Sequence, residues 1–281
     1  MKIDSHQHFW KYNKSEYSWI SDQMGVLKKD FLPDDLIKEL NGIGFDGSVA
    51  VQARQSLEET SWLLEIADQN DFIKGVVGWV DLCSDKAEEQ ISEFVRNRKL
   101  VGVRHVIQDE PDDHFMLQKS FLRSINLLKK YNLVYDILIL PKHLTYAEKL
   151  VRQFQEQQFV LDHIAKPLIK ENKISPWKEG IKRLSTYQNV SCKLSGMVTE
   201  ASWHGWKRED FEPYLDVVFE AFGTSRLMIG SDWPVCTVSS GYSPTMKIVF
   251  DYIKTFNLEE KEMVLGGNAI RIYNLQIRDK K

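Results

Sequence analysis

The sequence predicts an α/β fold, a single (β/α)₈ TIM barrel over residues 1–281, and three observations carry that expectation. Eight short apolar runs alternate with amphipathic segments along the chain. The runs are rich in Val, Ile and Leu without strict alternation, as strands buried on both faces require. The turn after the first run, FWKYNKSE, holds no glycine, whereas a doubly wound open sheet often has a glycine-rich first turn. At 281 residues the chain has a length at which barrels commonly form one domain.

The first strand is read in KIDSHQH (2–8), the second in GSVAVQA (47–53) and the third in GVVGWVDL (75–82). LVGVRHVI (100–107), LVYDILIL (133–140) and QFVLDHIA (158–165) follow, then NVSCKLSG (189–196) and RLMIGSDW (226–233). Helices are expected between them, at 33–43, 60–70, 85–98, 115–131, 144–157, 177–187, 208–222 and 243–256, with a last one at 258–275. Pro33, Ser84 and Ser243 suit helix starts, and Asn41-Gly42 with Gly44 suit a helix end.

Composition removes several function classes. Apolar residues at 43% supply an ample core. Lys and Arg (37) nearly balance Asp and Glu (40), so no basic stripe points to nucleic acid or to a membrane surface. Cys83, Cys192 and Cys236 are odd in number and form no Cys-x-x-Cys pair, which argues against a disulfide framework or structural zinc. Polar residues arrive at once after Met1-Lys2-Ile3, and no apolar run reaches membrane-spanning length, so a cytoplasmic location is expected.

Chemistry in such a barrel gathers at the carboxyl ends of the strands. His6 and His8 end the first strand, Arg104 stands late in the fourth, His163 ends the sixth, Lys193 is late in the seventh and Asp232 ends the eighth. Charged groups buried without partners are costly, so polar interruptions at one common end are expected to converge. The strand period of two puts His6 and His8 on one face. A lone His-x-His is more often a chance pair; His163 and Asp232 at matching strand ends reverse that judgement. Histidine nitrogens with a carboxylate oxygen make a usual ligand set for zinc or a similar divalent ion, here His6, His8, His163 and Asp232.

The stretches IDSHQHFW, GVRHV, LDHIAKP, CKLSGM, GSDWPV and GGNAIRIY together resemble the amidohydrolase superfamily. The resemblance is to its amidohydrolase 2 branch, and it spans nearly the whole chain. It implies a barrel enzyme hydrolysing a cyclic ester, such as L-fuconolactone, L-rhamnonolactone or 2-pyrone-4,6-dicarboxylate. Two departures bear on the metal. Arg104 stands where binuclear members place a bridging lysine or glutamate, and the fifth strand has no histidine at its end, His143 coming only after Pro141-Lys142. At most one divalent ion is therefore expected, and the branch includes members that work without metal.

In this reading Asp232 is the general base, while His6, His8 and His163 either hold the ion or hydrogen-bond the carbonyl directly. Arg104 and, less strongly, Lys193 are expected to clamp substrate oxygens. Aromatic faces suit sugar C–H faces, and among the rings of 9–19 and of EASWHGW (200–206) Trp10 is the one expected nearest substrate. The bland reading, that these rings only plug their loops onto the barrel, stands beside it. His105 is expected to face away from the mouth, His114 to be solvated, and Asp162 to be a structural partner. Gln52 and Asp81 either line the pocket or cap strand ends, and Trp203 and His204 carry no assigned role. Cys192 and Cys236 have no base beside them. A metal-dependent decarboxylase on the same barrel and a non-catalytic sugar-binding protein are the competing readings; the small-molecule substrate is common to all, and a homo-oligomer is left open.

Overall fold

A computed structural model describes residues 1–277. Eight strands follow one another around a parallel sheet in sequence order: β1 (Ile3–Gln7), β2 (Gly47–Val51), β3 (Ile73–Gly78), β4 (Leu100–Val106), β5 (Val134–Leu138), β6 (Phe159–Leu161), β7 (Val190–Leu194) and β8 (Leu227–Ile229). The chain just past β8 brings the sheet round to β1. Trp233 bridges Gln7 in parallel, the His8 amide donates to the Trp233 carbonyl at 2.7 Å, and the Asp232 amide donates to the His6 carbonyl at 2.8 Å. The main helices are α1 (Pro33–Ile43), α2 (Leu57–Gln69), α3 (Ala87–Phe94), α4 (Lys119–Lys130), α5 (Leu144–Gln153) and α6 (Trp177–Ser185). They continue through the single turn α7 (Met197–Glu200), then α8 (Glu212–Phe222), α9 (Tyr242–Tyr252), α10 (Leu258–Glu262) and α11 (Asn268–Ile272). No helix of the described residues is long and apolar enough to cross a membrane.

Local chemistry explains several boundaries. Pro33 occupies the first turn of α1, where its missing N–H costs nothing, and Gly44 ends that helix in the left-handed region at φ 72°. The α2 helix begins earlier than expected because the Ser56 hydroxyl accepts from the Glu59 amide at 3.2 Å. Ser84 and Ser243 do not cap: α3 starts only at Ala87, and Ser243 lies inside the first turn of α9. The single C-terminal helix expected at 258–275 is broken by a π turn at Met263–Gly267, where a Cβ on Gly266 would collide with the backbone of residues 1–3. Packing of the first residues against this turn overrides its helical pattern.

The barrel interior is layered. Ile3, Val49, Val77, Val101, Val134 and Val160 form one apolar cluster with Ala269, Ile272, Tyr273 and Leu275 of the C-terminal segment. Above it stand charges. The Tyr273 hydroxyl lies 2.8 Å from both oxygens of Asp136, on β5, and Lys193 Nζ, on β7, lies 2.6 Å from Asp136 Oδ2. The same ammonium is 3.0 Å from Asp162 Oδ1 and 3.2 Å from His6 Nδ1. Burial pushes the Asp136 carboxyl up to about 6, with Lys193 pulling the other way. A polar column thus rises from the C-terminal plug to the carboxyl ends of the strands. Tyr273→Phe is expected to cost about 1.5–3 kcal/mol, because it strips a hydrogen bond from a buried carboxylate. Urea unfolding measures this, and an unchanged midpoint would show that the plug does not support the column.

Candidate active site

Two of the key side chains are presented by turns rather than by strands. The sixth strand ends at Leu161, and His163 lies in a turn over Asp162–Ala165; the eighth ends at Ile229, three residues before Asp232. His163, Ile164, Ala165 and Lys166 all have positive φ, between 48° and 60°, and Asp232 has φ 57°. Such backbone is costly for residues with a Cβ, more so for a β-branched one, and is held only where surroundings fix it. Here the Trp177 indole donates to the Ile164 carbonyl at 2.6 Å, and Asp232 is tied to His6 through its amide. Gly196, at φ 64°, lets the His163 ring in: a Cβ there would come within 2.5 Å of Nδ1. Ser195 Oγ is 2.9 Å from the same nitrogen.

His6, His8 and Asp232 meet at one point. His8 Nε2 is 3.2 Å from His6 Nε2 and 3.3 Å from Asp232 Oδ1, and His6 Nε2 is 3.8 Å from that oxygen. His8 Nδ1 is 2.7 Å from the Val51 carbonyl, which can only accept, so Nδ1 carries the proton and Nε2 presents a lone pair. His6 Nε2 faces Arg104 Nη1, which can only donate, at 3.3 Å, so it too presents a lone pair, while Nδ1 lies 3.3 Å from Asp162 Oδ1. Two lone pairs and a carboxylate oxygen facing one another call for a positive charge between them. Two of these separations, 3.2 and 3.3 Å, match the ~3.3 Å expected between ligands of a tetrahedral divalent ion with bonds of about 2.0–2.1 Å, and the third, 3.8 Å, is wider. The residues fit a single ion. His163 stands slightly apart: Nε2 is 3.9 Å from Asp232 Oδ1, and among the described residues it falls into a separate possible ligand group with His6 and Asp162.

Electrostatics fixes the charge states. Burial works to raise Asp232, but the His163, His8 and His6 imidazoles outweigh it and hold the carboxyl below the usual carboxylate range. Burial lowers His6 well below the ordinary imidazole value, Lys193 and His163 reinforcing it against Asp162. Burial likewise lowers His163 to about 4. Asp162 is held well below the usual carboxylate range because Lys193, His6 and Arg104 overcome its burial. Arg104 Nη1 lies 2.9 Å from Asp162 Oδ2 and 3.3 Å from His6 Nε2, while Nη2 donates to the Gln52 carbonyl. Asp4 braces the other side: its carboxylate accepts from the Ser231 amide (2.9 Å), the Ser231 hydroxyl (2.6 Å) and the Tyr242 hydroxyl (3.0 Å).

Above these groups opens a cavity of about 380 Å³, within the range of small-ligand sites. His8, Arg104, His163 and Asp232 line it, with Trp19, Arg54, Gln108, Glu110 and Lys166 among the wall residues. Two sequence expectations need correction. Lys193 does not clamp substrate: it is fully buried below His6, its ammonium held by Asp136 and Asp162. Trp10 does not face the cavity either. It is fully buried, donates to the Lys29 carbonyl at 2.9 Å, and supports Trp19 edge-on at 5.7 Å between ring centroids. Trp19 is the ring in the wall. Trp203 and Trp206 tie down their own loop through Thr199 and Ser239, as plugs. Gln52 orients Arg104, and Asp81 caps the Cys83 and Ser84 amides. His105 faces outward, stacked on Phe115 at 4.6 Å. Burial pushes the thiols of Cys192 and Cys236 upward, away from nucleophilic thiolate.

A β-barrel whose strand ends converge two histidines, a carboxylate and a third imidazole on one pocket is the architecture of a metal-capable hydrolase. A family described as amidohydrolase matches residues 3–275. An L-fucono-1,5-lactonase of Burkholderia multivorans is 38% identical, over 98% of this chain and 96% of its own length. A second L-fucono-1,5-lactonase, of Burkholderia ambifaria, is 34% identical, over 98% and 96%. A crystal structure of an amidohydrolase from Burkholderia multivorans with bound zinc superimposes with a TM-score of 0.95 at 38% identity, over 98% of this chain and all of that one. The chain belongs to the amidohydrolase family.

Glu59 orders the mouth loops and was invisible in the sequence. Its Oε2 accepts from the Ala53 and Arg54 amides, both at 2.9 Å, and its Oε1 from the Tyr17 hydroxyl at 3.2 Å. Burial pushes it from 4.5 up to about 7. Between those values the folded chain keeps a proton that the unfolded chain has lost, so this group makes stability fall as pH rises. Glu59→Gln carries no such proton. Its stability relative to wild type is expected to rise from about pH 4.5 to about pH 7 and then level off, as measured by urea unfolding. A pH-independent difference would contradict the assignment.

Proposed function

We propose that the protein hydrolyses a sugar lactone of the L-fucono-1,5-lactone kind, with Asp232 as general base. The observation that carries this is the ionised Asp232 carboxylate, ringed by three imidazole nitrogens at 3.3, 3.8 and 3.9 Å on the wall of a pocket of small-ligand size. The two lactonases at 38% and 34% identity support the choice of substrate class.

Opening a lactone requires a positioned water, a polarised carbonyl and a proton for the departing ring oxygen. A divalent ion, when held by His6, His8 and Asp232, supplies Lewis-acid polarisation. The chain's own residues do the rest. Asp232 takes the proton from the attacking water as the new acyl C–O bond forms. A carboxylate with so low a pKa is a weak base toward bulk water, so its advantage lies in position and charge. His163, neutral above about pH 4 and 3.9 Å from Asp232, is placed to pass the proton to the ring oxygen as the acyl–oxygen bond breaks. Arg104, immobilised by Asp162 and Gln52, presents a fixed cation to substrate oxygens. The net reaction consumes one water and yields a hydroxy-carboxylate and one proton.

With L-fucono-1,5-lactone in a pH-indicator assay corrected for spontaneous opening, Asp232→Asn is expected to lose about 10²–10⁴-fold in turnover with unchanged circular dichroism. Near-normal turnover would remove Asp232 from its role. The same assay with a chelator reads whether the histidines work through an ion or directly.

A further inference from the structure

Every fixed cation on the cavity wall already has a carboxylate. Arg104 has Asp162 at 2.9 Å, Arg54 Nη1 has Glu16 Oε2 at 3.1 Å, and Lys166 has Glu200 at 3.9 Å. Glu16, Asp109, Glu110 and Asp232 line the same cavity, so its wall carries four carboxylates to three Arg and Lys side chains, before any ion held at Asp232 is counted. A ligand carboxylate would enter among these acids and find both guanidiniums already facing a carboxylate. A hydroxyl would find acceptors in the same groups.

The pairs differ in what they leave possible. Arg104 is locked from below, with one amino group on Asp162 and the other on Gln52. Arg54 stands at the mouth and is about a quarter exposed; Glu16, nearly half exposed, occupies its charge. These residues come from different loops, after β2 and after β1, held side by side because Glu59 gathers the Arg54 and Ala53 amides and the Tyr17 hydroxyl. The Arg54 guanidinium also lies over the Tyr17 ring, 5.8 Å from its centroid. A planar fork so placed would grip a carboxylate in two-pronged fashion if Glu16 did not hold it.

We infer that the site takes uncharged polyhydroxylated lactones and turns away lactones that carry a carboxylate, and that the Glu16–Arg54 pair sets this choice. The inference rests on the hydrolase reading above and names the substrate class within it.

The test compares kcat/KM for L-fucono-1,5-lactone with that for two carboxylated lactones, D-glucaro-1,4-lactone and 2-pyrone-4,6-dicarboxylate, in wild type, Glu16→Gln and the double variant Glu16→Gln/Arg54→Met. Wild type is expected to favour the uncharged lactone by about 100-fold. Glu16→Gln is expected to narrow that ratio about tenfold, chiefly through a lower KM for the carboxylated lactones. The double variant is expected to restore it, because the freed guanidinium is what captures the carboxylate. If wild type uses both classes equally, or if Glu16→Gln leaves the ratio unchanged, the inference fails while hydrolysis of the uncharged lactone keeps the hydrolase reading intact. If no lactone of either class is opened, both fail together.

Discussion

Asp162 is the residue on which the interior of this barrel depends. Two basic side chains, Lys193 and Arg104, are buried in a space that elsewhere holds Val, Ile and Leu, and a buried charge without a partner costs several kcal/mol. Asp162 stands between them, 3.0 Å from one and 2.9 Å from the other, and faces His6 as well. Asp136 balances Lys193 from below and is itself fastened by Tyr273. The column therefore carries two carboxylates for two cations. That balance lets His6 remain neutral and lets Asp232, the next charge up, face the imidazoles rather than a fixed cation.

The mouth above the column is built from irregular backbone. Regular strands can present only alternate side chains at fixed heights, so His163 and Asp232 reach the centre from turns in the left-handed region. Each turn is fixed from outside: Trp177 and Gly196 fit around His163, while Asp4 and Ser231 fasten the segment before Asp232 to β1. The same segment closes the sheet through Trp233 and His8. Barrel closure and placement of the carboxylate are thus one event, and residues with no place in the chemistry still set its geometry.

Much of this was legible in the chain itself. His6, His8, Arg104 and Asp232 interrupt apolar runs at one end of their strands, and the cost of burying them predicts that they meet. Lys193 interrupts an apolar strand as the mouth residues do, and polarity alone does not separate a substrate contact from a buried ion pair. Asp136 lies inside the equally apolar VYDIL, and a buried acid and a buried base in neighbouring layers already suggest a pair. Position two residues past His8 points to Trp10, yet Trp19 is the ring in the wall, since loop rings are placed by tertiary contacts that carry no periodicity. Glu59 likewise lies in an ordinary amphipathic helix, and only the path of two distant loops makes it a buried acceptor. Turn positions with positive φ at His163 and Ile164 run against local propensity, so only the assembled surroundings explain them.

The most direct test is to change the charge of Asp162 and nothing else of its shape. Asp162→Asn leaves Arg104 and His6 without the carboxylate that orients both, while the pocket walls stay as they are. Turnover of L-fucono-1,5-lactone is expected to fall by about 100-fold or more, with a lowered unfolding midpoint in urea. A variant that unfolds at the wild-type midpoint and turns over at the wild-type rate would show that the buried column does not hold the site together.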